Sequence, residues 1–101
     1  MPKIYRIEEL RAAVRPIFAR YPVYAATLFG SYARGEATER SDVDIVIDTH
    51  CELLDVRFYA VQGEIQQRLG IPVDLFEVCS IRRPSPIAEK IDAEGVRLYE
   101  R

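Results

Sequence analysis

The sequence predicts an α/β (α+β) domain, a small mixed β-sheet of three to four strands with helices packed on it. Short apolar runs end or begin at turn residues, amphipathic stretches separate them, and no segment repeats. At 101 residues, 49% hydrophobic and 30% charged, the chain carries enough apolar surface for one core. A single domain spanning 1–101 is the expectation.

Each element has its own signal. Residues 6–20 place Ile7, Leu10, Val14, Ile17 and Phe18 at the three-and-four spacing of one helix face. Pro16 falls inside that stretch, where the ring removes a backbone donor and crowds the preceding turn. A kink or break near Arg15 is therefore expected. Tyr24–Phe29 reads as a buried strand stopping at Gly30, and residues 30–41 as a polar loop with one helical turn over Tyr32–Gly35. Val43–Ile47 is β-branched and apolar apart from Asp44, which marks a second strand. Asp55 is a natural N-cap for a helix that Gly70 would end, although Gly63 costs that helix about 1 kcal/mol relative to Ala. Pro72–Val78 alternates as a third strand, and Ser80–Pro86 is a loop. A short helix over Pro86–Ala93 has proline in its first turn and stops at Gly95, leaving Val96–Tyr99 for an edge strand.

Composition excludes several functions. Fourteen Lys and Arg against sixteen Asp and Glu give a net charge of −2 with no basic run, which argues against direct nucleic-acid binding. No apolar run approaches the roughly 20 residues of a membrane span, and the polar, charged start does not read as a secretory signal. Cys51 and Cys79 form neither a C-x-x-C pair nor a disulfide framework. They read as separate structural thiols, suited to a reducing cytoplasm.

The chemistry concentrates in three places. Gly30-Ser31 follows the first strand, Asp42-Val43-Asp44 opens the second, and Asp74 lies in the third. Residues i and i+2 of a strand share a face, so Asp42 and Asp44 project side by side with oxygens about 5–7 Å apart. At an effective dielectric near 20 that pair repels by on the order of 3 kcal/mol, a cost that a cation would offset. Clustered carboxylates are what Mg²⁺ or Mn²⁺ prefers. With Asp74 facing the same way, three carboxylates would suffice for two divalent ions in an in-line phosphoryl displacement. Gly30 lets backbone approach a phosphate, and the amides of Ser31 and Tyr32 with the Ser31 hydroxyl can donate to it. Arg34 has two readings, a charge-assisted phosphate contact or a salt bridge with Glu36 or a neighbour. Ser41 and Asp48 read as turn residues, His50 as exposed, and Arg82-Arg83 as surface charge.

The stretch Gly30-Ser31-Tyr32-Ala33-Arg34-Gly35-Glu36, followed by Ser41-Asp42-Val43-Asp44-Ile45-Val46-Ile47 and by Val73-Asp74-Leu75, resembles the signature of the minimal nucleotidyltransferases. These are the small branch of the DNA polymerase β-like nucleotidyltransferase superfamily. The resemblance covers about residues 23–78. It implies that Asp42 and Asp44 bind both metals, and that Asp74 binds one and helps remove the proton of the attacking hydroxyl. Gly30 and Ser31 would hold the triphosphate of ATP or another NTP. Larger relatives carry a second, helical domain for which these 101 residues leave no room. Minimal members are commonly paired with a HEPN-type toxin, and the resemblance implies AMP transfer to a toxin tyrosine by the antitoxin. Two rivals stand beside this reading: transfer to a small molecule such as an aminoglycoside, and a non-catalytic binding module that neutralises a partner by occlusion. The apolar helix faces leave self-association into a homo-oligomer open.

Overall fold

The computed structural model describes residues 3–101. Helix α1 spans Ile7–Phe18, β1 Ala25–Phe29, α2 Ser31–Arg34, β2 Val43–Asp48, α3 Val56–Leu69, β3 Val73–Glu77, α4 Pro86–Glu94 and β4 Val96–Glu100. The sheet order is β3-β2-β1-β4. β1 pairs antiparallel with both β2 and β4, whereas β2 and β3 run parallel, joined through the α3 crossover.

The two faces of this sheet differ. Val43, Ile45 and Ile47 of β2, Leu28 of β1 and Val73 of β3 are fully or nearly fully buried. Together with Leu10, Val14 and Phe18 of α1 and Val61 and Ile65 of α3 they form the main core. Strand alternation then places Asp44, Val46 and Asp48 on the opposite face, where α4 lies against β1. The candidate residues thus sit on the sheet face that α1 and α3 do not cover.

Local signals explain most boundaries. The Asp55 carboxylate accepts from the Arg57 amide at 2.9 Å and starts α3; Gly70, with φ of 73°, ends it. Ser85 caps α4 by accepting from the Ala88 amide, with Pro86 at its first position. The Asp48 carboxylate accepts from the His50 amide at 3.0 Å, and the Ser41 hydroxyl accepts from the Thr38 amide at 2.8 Å, so both serve turns. Arg83 pairs with Asp92 at 2.7 Å, and the His50 ring stacks on Tyr24 with centroids 3.7 Å apart.

Two expectations are corrected. Helix α1 runs through Pro16 to Phe18 rather than breaking near Arg15. The proline leaves the Ala12 carbonyl without its usual amide, but Val14, Ile17 and Phe18 are buried on both sides of it and hold the helix together, and the Ala19 amide closes on the Arg15 carbonyl at 3.0 Å. Cys51 and Cys79 are not separate thiols. They are joined as a disulfide between the segment after β2 and the short 3-10 turn after β3, a proximity that parallel pairing creates across 28 residues of sequence.

The core assignment can be checked at the centre of the sheet. Ile45→Ala should cost about 2–5 kcal/mol in urea denaturation, because Ile45 is fully buried between β1 and β3. A loss well under 1 kcal/mol would contradict that placement.

Candidate active site

The site is built at the start of two parallel strands. Asp44 and Asp74 are register partners across β2 and β3, so their side chains leave the same face of the sheet next to each other. In β3, Val73 and Leu75 are buried while Asp74 is exposed, as alternation requires. Asp42 stands immediately before β2, two residues from Asp44 and exposed. On the other side of β2, Phe29 is the partner of Asp44, which brings Gly30 directly beside it.

Gly30 is required there twice over. Its φ of +79° is strained for any residue with a Cβ, and a Cβ would overlap Asp44 Oδ2. Glycine therefore allows both the turn out of β1 and the approach of the carboxylate. The chain then enters α2, whose four residues begin at Ser31 and end at Gly35 in the left-handed conformation. As first-turn amides, those of Ser31 and Tyr32 have no intrahelical acceptor.

The electrostatics follow from the geometry. Asp44 is pushed up to about 6 from 3.8, mainly by burial, then by the charge of Asp74 and their mutual hydrogen bond, and further by Asp42. Lys90 of α4 acts in the opposite sense. None of the three aspartates is in a salt bridge among the described residues. Two hard-oxygen donors in contact, with Asp42 close enough to act on Asp44 by its charge and Lys90 opposing them without an ion pair, are a donor set that fits a divalent cation.

Arg34 takes the salt-bridge alternative. Its Nε donates to Glu36 at 2.8 Å and its Nη1 to Glu94 at 2.9 Å. The other oxygen of Glu94 accepts from the Gly30 amide at 3.2 Å. Glu94 and Lys90 are the site neighbours that sequence reasoning missed. Both lie on α4, Glu94 60 residues from Arg34 and Lys90 46 (90 − 44) from Asp44, and no local pattern signals either meeting. Cys51, Glu77 and Cys79 also bring their ligand atoms within 4.8 Å of one another. There the sulfurs are bonded to each other, and the Glu77 oxygens are held by the Thr49 amide and hydroxyl and the Cys79 amide. No ligand set is left over.

The sequence pattern described as "Polymerase beta, Nucleotidyltransferase" matches residues 13–101. The chain belongs to this nucleotidyltransferase family. Among its relatives, the protein adenylyltransferase MntA of Thermococcus cleftensis is 36% identical over 87 residues, covering 86% of each chain. MJ0128 of Methanocaldococcus jannaschii, itself proposed to be a protein adenylyltransferase, is 35% identical over 75 residues, covering 74% of this chain and 76% of its own. The fold superposes on a toxin–antitoxin crystal structure with AMP-PNP at a TM-score of 0.78, with 19% identity, covering 90% of this chain and 73% of that one. It also matches a chain from the complex of tri-AMPylated Shewanella oneidensis HEPN toxin with MNT antitoxin, at a TM-score of 0.72 and 16% identity, covering 94% and 73%. The nucleotidyltransferase fold expected from the sequence is the fold observed, with the fourth strand present.

The raised Asp44 pKa has a consequence for stability. In the unfolded chain the carboxyl ionises near 3.8, in the fold near 6. The stability that this group contributes is therefore complete below pH 3.8 and is lost as pH rises through 6. In chelator, Asp44→Asn should melt above the parent at pH 7, and the gap should close towards pH 4. A gap independent of pH would show that repulsion within this cluster does not govern stability. Gly30→Ala should destabilise the fold by about 1–3 kcal/mol through backbone strain and the clash with Asp44.

Proposed function

We propose that this nucleotidyltransferase transfers AMP from ATP to a hydroxyl of a partner HEPN-type toxin, a tyrosine by family resemblance, and so acts as its antitoxin. The observation that carries the chemistry is the register pairing of Asp44 with Asp74 beside Gly30. The acceptor assignment is supported by the relative named protein adenylyltransferase MntA and by the fold shared with the antitoxin of an AMPylated HEPN toxin.

The residues divide the work. Asp42, Asp44 and Asp74 would hold Mg²⁺, two ions in the full site, with Mn²⁺ as the alternative. Bound there, the cations offset the carboxylate repulsion, favour the deprotonated acceptor oxygen and balance the charge that builds on pyrophosphate. The amides of Ser31 and Tyr32 and the Ser31 hydroxyl orient the triphosphate, while the absent Cβ of Gly30 leaves room for it. The acceptor oxygen attacks the α-phosphorus, the bond to the bridging oxygen breaks, and pyrophosphate leaves. Asp74, the most outward of the pair, receives the acceptor proton.

Mass spectrometry of the co-expressed partner tests this reading. The parent chain should add AMP to it, and Asp42→Asn or Asp44→Asn should lower transfer by at least about 10³-fold while remaining folded. Neutralisation of the partner without added AMP mass would assign the chain to occlusion instead. Labelling of an aminoglycoside in place of the protein would overturn the acceptor.

Divalent cation provides a second readout that needs no partner. Added Mg²⁺ at tenfold to a hundredfold over Kd should stabilise the parent by about 1.4–2.7 kcal/mol, and Asp44→Asn by much less. An equal shift in both proteins would remove Asp44 from the cation site.

A further inference from the structure

Helix α2 cannot hold itself. It has four residues, its N-cap is a glycine without a side-chain acceptor, and isolated helices this short do not persist in water. Tyr32, buried in the main core, anchors its middle, and what fastens its two ends comes from the far end of the chain. Glu94, the last residue of α4, spans the loop: Oε1 accepts from the Gly30 amide at 3.2 Å and Oε2 accepts from Arg34 Nη1 at 2.9 Å. These are the two ends of the turn that carries Ser31 and Tyr32.

The clamp itself is anchored. A Cβ on Gly95 would lie 2.6 Å from the Ile91 carbonyl and 2.8 Å from Thr27 Cγ2, so the backbone just after Glu94 is packed tightly against β1. The Gly95 amide closes on the same carbonyl at 2.9 Å. Glu94 thus projects from a fixed point on the sheet. Arg34 places its Nε on Glu36 and its Nη1 on Glu94, and with two carboxylates on one guanidinium it is a weak partner for a phosphate.

We propose that Glu94 is a positioning residue of the nucleotide loop, clamping Gly30 and Arg34 so that the Ser31 and Tyr32 amides stay aligned for a triphosphate, and that Arg34 acts through this clamp. The inference rests on the triphosphate reading above for its role in transfer, but the clamp has a readout of its own.

The test uses the full chain with Glu94→Ala, Glu94→Gln, Arg34→Ala and the double variant Arg34→Ala/Glu94→Ala. In nucleotide-free protein, amide hydrogen exchange across residues 30–34 should rise by about tenfold or more in Glu94→Ala, with core exchange unchanged. Glu94→Gln, which keeps an acceptor for the Gly30 amide, should recover part of the protection. With magnesium ATP, Glu94→Ala should raise KM by about tenfold while kcat falls less than threefold, and the double variant should be no worse than the poorer single one. Unchanged exchange in both Glu94 variants overturns the clamp. Additive losses would place Arg34 on the phosphate independently, and a lowered KM would make Glu94 a competitor of the phosphate; either overturns the proposal. If the parent transfers no nucleotide, the function fails while exchange still decides the clamp.

Discussion

The site depends on one constraint, a pair of carboxylates held in register across parallel strands. Asp44 and Asp74 cannot move apart without breaking the β2–β3 ladder, and that ladder is fixed by Val43, Ile45 and Val73 packed beneath it. The core therefore stabilises an arrangement that is locally unfavourable in the absence of a cation. Sheet alternation makes this workable. The face that buries valine and isoleucine is the same backbone that turns aspartate outward at every second position.

The connection between strands decides what surrounds the pair. Because α3 carries the chain back over the core face, β3 starts at the same edge as β2, and both aspartates lie near strand beginnings. Because β1 runs antiparallel to β2, its end arrives at that edge too, and Phe29 opposite Asp44 delivers Gly30. A strand end, two strand starts and a glycine turn meet at one point. On this face α4 lies over β1, bringing Lys90 within electrostatic reach of Asp44 and Glu94 onto the Gly30 amide.

This explains what the sequence disclosed. Asp42, Asp44, Asp74 and Gly30 are legible because each interrupts a local pattern: an acid in an apolar strand, or a glycine where a strand must stop. Asp55, Gly70 and Pro86 are legible for the same reason, as caps whose chemistry acts within a few residues. Arg34 was readable only as two alternatives, since its decisive partner lies 60 residues away on α4. The Cys51–Cys79 pairing was hidden likewise, because it depends on which ends of β2 and β3 become neighbours. The expected break at Pro16 erred for a different reason. The cost of Pro16 falls on the preceding turn, and the burial of Val14, Ile17 and Phe18 in the core outweighs it, a tertiary contribution that local sequence does not show.

The charge balance around the cleft points to what must accompany a substrate. Asp42, Asp44, Asp74, Glu94 and Glu36 surround the loop, against Arg34 and Lys90. Five acids and two bases leave a net charge of −3. A nucleoside triphosphate approaching alone would meet this negative excess, and the Arg34 guanidinium is already shared by two carboxylates. Backbone amides can orient phosphate oxygens, but as uncharged dipoles they cannot neutralise such an excess. In the proposed reaction the attraction would have to come from cations that enter with the nucleotide or precede it. Nucleotide and metal binding would then be coupled at the level of charge, before any chemistry.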